Sequence, residues 1–262
     1  MKKTYLRNDL FTMKHALPYS YLPENTDRAV LMLHGYTGSP KDYRYLAGRL
    51  EKEGIAYSVP RLPGAGTDMD DLSETTRRDW LRRAYDAWLD LKSSYSRITI
   101  TGYSMGGLLA LKMAAEIKPE SLVLLAPALE VQHKSIKFVP LITPFASFLP
   151  QIDTGWREED EKDEESREHG RKYWVRRDIK SLSQFVMLAS ETKKILNYTD
   201  LPVLLFLSEN DPVVSLKTAE VLNTELKRKP EKTVILKNCR HDVPNGNDKE
   251  TVADVVIDWI KR

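Results

Sequence analysis

The chain has 262 residues, of which 41% are hydrophobic, and its 40 basic and 38 acidic side chains leave a formal net charge of +2. This length provides a sizeable core for one large α/β domain, or for a core domain with a smaller insertion. Because the charges nearly balance, the composition gives no reason to expect a nucleic-acid partner. The single cysteine, Cys239, excludes an intramolecular disulfide and disfavours a thiolate-bound metal.

The N-terminal stretch over 1–19 begins with two lysines and is interrupted by polar and charged residues, so it has no apolar run of signal-peptide length. The most apolar segment, 136–150, is too short to span a bilayer and contains three prolines. These features predict a cytoplasmic protein. Segment 6–17 is a candidate for an antiparallel edge strand.

Short β-rich runs alternate with longer helical patterns, which is typical of a mostly parallel sheet covered by helices on both faces. The predicted strands cover 29–35, 55–60, 98–104, 121–127, 202–211 and 232–238. Helices are predicted over 41–53, over 76–94, directly after Ser104, at about 215–228 and at 247–261. Trp80 and Trp88 share the apolar face of the helix over 76–94, so we interpret both as packing residues.

This alternation stops between about 128 and 197, where no parallel strand is predicted. A loop of this length without secondary structure is uncommon in a compact domain, so we predict a mainly helical cap inserted into the core. The predicted divisions are a first core part over 1–127, the cap over 128–197 and a second core part over 198–262. The acidic run between Glu158 and Glu168 is interpreted as a solvated helix face.

Ser104 lies between Gly102 and Gly106, after a predicted strand and before a predicted helix. This is the context of a sharp strand-to-helix turn that exposes a serine hydroxyl above the sheet. Seven of the 12 glycines fall in three short stretches at or just beyond the C-terminal ends of predicted strands, where open parallel sheets bind ligands. We therefore interpret Ser104 as a nucleophile rather than as a turn residue.

A serine nucleophile needs a positioned base, most often a histidine oriented by a carboxylate, and on such a turn the chain order is serine, acid, histidine. Of the five histidines, only His241 follows the last predicted strand, where it can reach back to Ser104. Asp211 ends the preceding predicted strand and is the favoured acid. Glu209 and Asp242 are the alternatives.

Acyl transfer also needs donors for the developing oxyanion, usually two backbone N–H groups. One is predicted to be the N–H of Met105, at the positive end of the helix that follows Ser104. The other is predicted to be the N–H of Tyr36, in the loop after the first predicted strand. His34, in the same loop, is interpreted as a residue that braces the loop.

The segments LMLHGYTGSP, RLPGAGT, GYSMGG, SENDPVV and CRHDV occur in this order, and from about residue 27 onward the sequence resembles the α/β-hydrolases. Within that superfamily it is most similar to bacterial carboxylesterases and monoacylglycerol lipases. The resemblance implies an α/β-hydrolase fold with a small helical cap, and it assigns Ser104, Asp211 and His241 as the triad with Tyr36 and Met105 as oxyanion donors. It also implies that the apolar side of the cap forms the acyl-chain tunnel.

Apolar residues of the predicted cap are candidates for lining an acyl site or for packing the cap onto the core. The candidates for the acyl site are Ile136, Phe138, Val139, Leu141, Ile142 and Phe145. An exposed apolar cap would also suit transient contact with lipid aggregates.

The expected activity is hydrolysis of small-molecule carboxylic esters, either short- to medium-chain acyl esters or monoacylglycerols, through an acyl-enzyme and without a metal or organic cofactor. The alternatives are a cinnamoyl or feruloyl esterase, a prolyl aminopeptidase-like hydrolase that takes a carboxylate from the acidic run, and a non-catalytic binding module.

Overall fold

The computed structural model describes residues 12–143, 148–149, 158–160, 163–174 and 177–262. Seven strands form one sheet and two very short strands pair separately. In the described part of the chain the strands are β1 (Tyr19–Tyr21), β2 (Arg28–Leu33), β3 (Ala56–Val59), β4 (Arg97–Tyr103), β5 (Ser121–Leu125), β6 (Phe148–Leu149), β7 (Arg177–Asp178), β8 (Val203–Ser208) and β9 (Lys232–Leu236).

The order of the large sheet is β1-β3-β2-β4-β5-β8-β9, and every pairing except β1 with β3 is parallel. Ala29 pairs with Ile98 at the centre of the sheet, and β6 pairs with β7 in an antiparallel ribbon outside it. The prediction of a mostly parallel sheet is confirmed, with all six predicted parallel strands in place.

In the described part of the chain, the antiparallel edge strand is β1, and residues 12–17 of the candidate segment form no strand. Residues 19–21 supply the antiparallel edge, whereas the candidate segment 6–17 lies partly outside the described residues and forms a 3₁₀ turn at Lys14–Ala16. The N–H of Met13 donates to the carbonyl of Gly66 at 2.8 Å. A Cβ on Gly66 would lie 1.9 Å from the Cβ of Ala16, so residues 13–16 pack closely on the loop after β3.

Helices cover both faces of the sheet. In the described residues they are α1 (Arg44–Lys52), α2 (Met69–Glu74), α3 (Arg77–Lys92), α4 (Met105–Ala114), α5 (Val139–Ile142), α6 (Glu164–Tyr173), α7 (Ile179–Lys193), α8 (Lys217–Glu225) and α9 (Lys249–Ile260). Single 3₁₀ turns also occur, at Pro40–Tyr43, Lys134–Phe138, Glu158–Asp160 and Leu196–Tyr198. None of these described helices has the combination of length and apolar composition that crossing a membrane requires.

Alternate residues of the central strands pack on opposite faces of the sheet, because successive side chains of a strand point in opposite directions. Leu31 packs with Trp80 and Trp88 of α3, while Val30 packs into the second apolar cluster with α1 and α9. Both tryptophans are buried, as predicted for packing residues. The helix α4 is buried along almost its whole length, so the residue that precedes it, Ser104, is fixed against the centre of the sheet.

Candidate active site

The turn that carries Ser104 has a backbone conformation that non-glycine residues rarely adopt, with φ at 52° and ψ at −111°. Such a conformation costs about 1–3 kcal/mol and persists only where the surroundings hold it. The N–H of Ser104 donates to the carbonyl of Leu125 at 2.9 Å. A Cβ on Gly106 would lie 1.8 Å from the carbonyl oxygen of Leu33, so only glycine lets α4 begin this close to β2.

His241 lies in the loop after β9 and connects Ser104 to Asp211. Its Nε2 lies 3.0 Å from Oγ of Ser104, and its Nδ1 lies 2.8 Å from Oδ2 of Asp211. Because an ionised carboxylate only accepts, Nδ1 carries the proton and the lone pair of Nε2 faces the serine hydroxyl. The three predicted catalytic residues thus form one chain of hydrogen bonds at the C-terminal edge of the sheet.

Asp211 is buried at the end of β8, and its second carboxylate oxygen is also occupied. Oδ1 accepts hydrogen bonds from the N–H groups of Val213 at 2.7 Å and Val214 at 2.9 Å. The two alternative acids, Glu209 and Asp242, are both exposed. The structure therefore places Asp211 against His241, as predicted, and leaves Glu209 and Asp242 at the surface.

The two predicted oxyanion donors belong to two segments that meet at Ser104. Met105 is the first residue of α4, where a helical N–H has no acceptor within its own helix. Tyr36 follows Gly35, whose Cα approaches Ser104 so closely that an added Cβ would lie 3.3 Å from the serine Cβ. Tyr36 and Met105 line the same small depression. The loop of Tyr36, residues 35–39, is called the oxyanion loop below.

His34 is buried at the base of this loop, and both of its ring nitrogens are used. Nε2 accepts from the N–H of Leu62 at 3.1 Å, and Nδ1 donates to the carbonyl of Gly35 at 3.0 Å. Burial lowers the pKa of His34 to about 4, so the ring is neutral at pH 7. These contacts fit a residue that braces the loop.

Asp42 supports the same loop from the other side, a role that was not predicted. Its Oδ2 accepts from the N–H of Ser39 at 3.4 Å, and a Cβ on Gly38 would lie 2.3 Å from this oxygen. Desolvation raises the pKa of the Asp42 carboxyl to about 7. The spacing Ser39-x-x-Asp42 was the available signal, because it matches a capping box at the start of a helical turn.

The segment between β5 and β8 also contacts the oxyanion loop, and these contacts were not predicted from the sequence. The hydroxyl of Tyr36 lies 2.7 Å from Oγ of Ser181, and its ring stacks on Phe185 with centroids 5.3 Å apart. Nε2 of His169 lies 2.8 Å from the carbonyl oxygen of Thr37, and Nε1 of Trp174 donates to Oγ1 of Thr37 at 3.3 Å. Helix α7, His169 in α6 and Trp174 just after α6 therefore hold the oxyanion loop in place.

A pocket of about 430 Å³ lies between α7 and the loop after β5. One of its lining residues, Ala128, donates its N–H to the carbonyl of Ser104 at 3.2 Å. Its apolar lining includes Leu129, Val131, Ile136, Phe185, Val186 and Ala189, and its charged lining is Glu130, Lys134, Lys137 and Lys193. Lys193 forms an ion pair of 2.5 Å with Glu130, which leaves two lysines to give the lining a positive charge.

Of the residues predicted for the acyl site, the structure places Ile136 in this pocket. Val139 is buried in the core, and Phe145 lies outside the described residues. Phe138, Leu141 and Ile142 are 54%, 70% and 39% exposed. The lining from α7 was not predicted. The spacing of Phe185 and Ala189, four residues apart on one helix face, was the signal for it.

Four carboxyl groups of the acidic run form described ion pairs with nearby lysines and arginines. Those along α6 pair with arginines and lysines of the same region. Asp163, just before α6, pairs with Lys41 of the core. The described pairs are Glu158–Arg171 at 2.5 Å, Glu164–Arg171 at 2.5 Å, Glu164–Arg167 at 3.3 Å, Glu168–Lys172 at 2.8 Å and Asp163–Lys41 at 3.6 Å. Such exposed pairs contribute little to stability and are typical of a solvated helix face.

Comparisons with known proteins cover almost the whole chain. A thermostable monoacylglycerol lipase from Bacillus sp. (strain H-257) is 29% identical over 92% of this chain and 94% of its own length. A carboxylesterase from Bacillus subtilis (strain 168) is 20% identical over 95% and 99%. A solved structure from a study of two metagenome-derived lipolytic enzymes, LipS and LipT, has a TM-score of 0.82 at 22% identity, covering 96% of this chain and 99% of that one.

The family model described as serine aminopeptidase, S33, matches residues 24–248. That range includes the turn of Ser104, the oxyanion loop and the loops of Asp211 and His241. With its mostly parallel sheet and flanking helices, the chain is an α/β-hydrolase and belongs to the serine aminopeptidase S33 family.

Proposed function

We propose that the chain is a serine-dependent carboxylic ester hydrolase that works through an acyl-enzyme. The observation that carries the proposal is the chain of hydrogen bonds from Asp211 through His241 to Ser104, with distances of 2.8 and 3.0 Å. The relatives named monoacylglycerol lipase and carboxylesterase support an ester as the substrate.

In the first half of the reaction, Nε2 of His241 takes the proton from the hydroxyl of Ser104 while Oγ attacks the ester carbonyl. The electron pair of the C=O bond moves onto oxygen, where the N–H groups of Tyr36 and Met105 stabilise it. The intermediate then collapses: the bond to the alcohol oxygen breaks, and His241 gives its proton to the leaving alcohol. Asp211 stabilises the imidazolium that forms between these two transfers.

The second half repeats these steps with water in place of the serine. His241 takes a proton from water, and the resulting hydroxide attacks the acyl carbonyl carbon. The bond from that carbon to Oγ then breaks, His241 returns the proton to Oγ, and the free acid leaves. The strained turn at Ser104 suits both halves, because it keeps Oγ at the same place above the sheet in the free and acylated states.

We assign the acyl chain to the 430 Å³ pocket beside Ala128. Its predominantly apolar lining suits an aliphatic chain of short to medium length, and its volume lies in the range of small-molecule sites. Monoacylglycerols and simple alkyl esters are therefore the proposed substrates. In this scheme residues 128–197 act as a cap over the core parts 1–127 and 198–262.

The family description raises the alternative of an aminopeptidase, which must bind the ammonium group of a peptide. A carboxylate free to bind it is required, but Glu130, the acid of the pocket lining, is paired with Lys193. Lys134 and Lys137 add positive charge to the same lining, and the described acids of α6 mostly pair with neighbouring cations. These charges favour a neutral ester over a cationic peptide.

The exposed apolar residues Phe138, Leu141 and Ile142 lie on α5 and the 3₁₀ turn before it. We propose that they make transient contact with lipid aggregates. An increase of activity as the substrate passes its solubility limit would support this role, and a smooth saturation curve through that limit would contradict it.

The test of the proposed function is a panel of nitrophenyl esters of increasing chain length together with monoacylglycerols, assayed with the wild-type protein and Ser104→Ala. We expect a preference for short to medium aliphatic chains and loss of turnover in the alanine variant. Preference for cinnamoyl or feruloyl esters would change the substrate class, whereas hydrolysis of prolyl anilides without ester turnover would overturn the assignment.

A further inference from the structure

The oxyanion loop has a conformation that its own sequence does not favour. The N–H of Gly38 donates to the carbonyl of Gly35 at 3.2 Å, which makes Tyr36 and Thr37 the two central residues of a turn. Thr37 has a φ of 56°, in the left-handed region that disfavours a β-branched residue. The turn therefore needs contacts from outside to stay in this form.

One such contact comes from His169, which α6 places over the loop. A carbonyl oxygen only accepts, so the 2.8 Å contact from Nε2 of His169 to Thr37 requires the proton on Nε2. Nδ1 of His169 is then an acceptor. It lies 3.1 Å from Nε2 of His15, which must donate to it. The N-terminal segment thus selects the tautomer of His169 that holds Thr37.

The surroundings keep this pair of histidines neutral. His169 is buried, and its ring stacks on Tyr173 with centroids 4.8 Å apart. Desolvation lowers the pKa of His169 to about 4 and also lowers the pKa of His15. The ionisable groups that face the pair are Lys41, Asp163, Glu165, Tyr173 and His34.

We propose that His169 is a positioning residue for ester hydrolysis: it fixes the Thr37–Gly38 peptide, whose N–H binds the carbonyl of Gly35, and the same Gly35–Tyr36 peptide carries the N–H of Tyr36 that faces the oxyanion. His15 acts one step further out, since it fixes the tautomer of His169. The inference rests on the proposed function, because it matters only if Tyr36 is an oxyanion donor. The segment between β5 and β8, which carries His169, would then affect the rate of the reaction as well as enclose the substrate.

The experiment compares His169→Phe, which keeps a ring of similar size but loses the donor, with His169→Gln, whose amide nitrogen restores a donor near the position of Nε2. Misplacing one oxyanion donor is expected to lower kcat roughly 10- to 100-fold in His169→Phe, with KM changed by less than about threefold. A trifluoromethyl ketone inhibitor, whose adduct oxygen occupies the oxyanion site, should bind more weakly by a similar factor. His169→Gln should regain most of kcat.

Two results would overturn the inference: a folded His169→Phe variant with kcat within about twofold of wild type, or a loss of kcat that His169→Gln does not restore. A readout on the wild-type protein keeps the test independent of how the variants fold. Its ¹H–¹⁵N spectrum at pH 7 should show His169 protonated on Nε2, and protonation on Nδ1 would contradict the inference. Ser104→Ala separates the two claims, because full activity in that variant would refute the proposed function itself.

Discussion

Asp211 and His241 form a contact in which the carboxylate has no freedom to rotate. Oδ2 lies 2.8 Å from Nδ1 of His241, while Oδ1 is held by the N–H groups of Val213 and Val214. An aspartate fixed in this way sets both the tautomer and the angle of the imidazole. The contact therefore determines whether Nε2 can accept the proton of Ser104.

Asp211→Asn should keep the shape of this contact and reverse its polarity. The Oδ1 atom still accepts from the two valine N–H groups, but an amide N–H now faces Nδ1 and favours the wrong tautomer. We expect kcat to fall by about 10³- to 10⁴-fold with little change in thermal stability. Steady-state kinetics and a thermal melt measure the two effects.

Glu209→Gln is the matched control, since Glu209 is exposed and lies two residues before Asp211. Its activity should stay within about twofold of wild type, as is usual for surface substitutions. An Asp211→Asn variant with near-normal kcat, or a large loss in Glu209→Gln, would show that the acid has been assigned to the wrong residue.

Gly106→Ala tests how tightly α4 approaches the sheet. The added Cβ would lie 1.8 Å from the carbonyl oxygen of Leu33, so the turn at Ser104 must shift or the fold must open. Because placement errors of about 1 Å cost roughly 100-fold in rate, we expect activity to fall by at least that factor, with a lower midpoint of urea unfolding.

Gly48→Ala provides the comparison on a helix surface. Nothing lies within 4 Å of a Cβ added to Gly48, and this residue is in the exposed part of α1. The substitution should stabilise the protein by about 0.5–1 kcal/mol through helix propensity and leave activity unchanged. Equal effects of the two alanines would contradict the close approach of α4 to β2.

The two buried histidines His34 and His169 should stay neutral in mild acid. The pKa of each is lowered from 6.5 to about 4 by burial. A lowered histidine pKa means that the folded state binds protons less tightly than the unfolded state. The stability that these residues contribute is therefore complete above pH 6.5, falls progressively between pH 6.5 and 4, and is lost below 4.

At about 1.4 kcal/mol per pKa unit, each of the two histidines contributes up to roughly 3 kcal/mol to this change. An NMR titration of the ring carbons measures the ionisation directly. At pH 5 the resonances of His34 and His169 should still be those of neutral imidazole. Ordinary titration near pH 6.5 by either ring would contradict its burial and the bonding of both its nitrogens.

The positive charge of the pocket lining should make KM depend on the charge of the substrate. Lys134 and Lys137 lie three residues apart on a 3₁₀ turn, where such side chains share a face, and both line the pocket. Among esters of matched length, one with a terminal ammonium should have a higher KM than the neutral one. The double variant with Lys134→Glu and Lys137→Glu should reduce or reverse that difference, more so at low salt.

Lys229→Glu is a control, because Lys229 is exposed on the loop after α8 and is absent from the pocket lining. It should leave the ratio of the two KM values unchanged. If the double variant leaves the same ratio unchanged, these lysines do not face the bound substrate.

Local patterns in the sequence were sufficient to predict most of the fold and the arrangement around Ser104. Apolar runs marked the six parallel strands, and the order of Ser104, Asp211 and His241 along the chain placed all three side chains at one edge of the sheet. Each of these features depends on a short stretch of sequence, and the structure of such a stretch does not depend on distant contacts. The turn of Ser104, with its flanking glycines, is one such stretch.

Contacts across long stretches of chain could not be predicted in this way. His169 meets Thr37 over 132 residues, and Tyr36 meets Ser181 over 145. Nothing near either residue in sequence indicates its partner, because the contact depends on how α6 and α7 pack onto the core. Residues 12–17 form no edge strand for a related reason: Met13 binds the backbone of Gly66, and the side-chain pattern near Met13 does not indicate that contact.

If Ser104 forms the covalent intermediate, active-site labelling followed by mass spectrometry should find the label on Ser104. A fluorophosphonate should add once per chain, the modified peptide should contain Ser104, and ester hydrolysis should stop in proportion to labelling. Ser104→Ala should neither label nor hydrolyse esters above the background left by binding and the oxyanion donors. Labelling at another residue, or full ester hydrolysis by Ser104→Ala, would show that Ser104 is not the nucleophile.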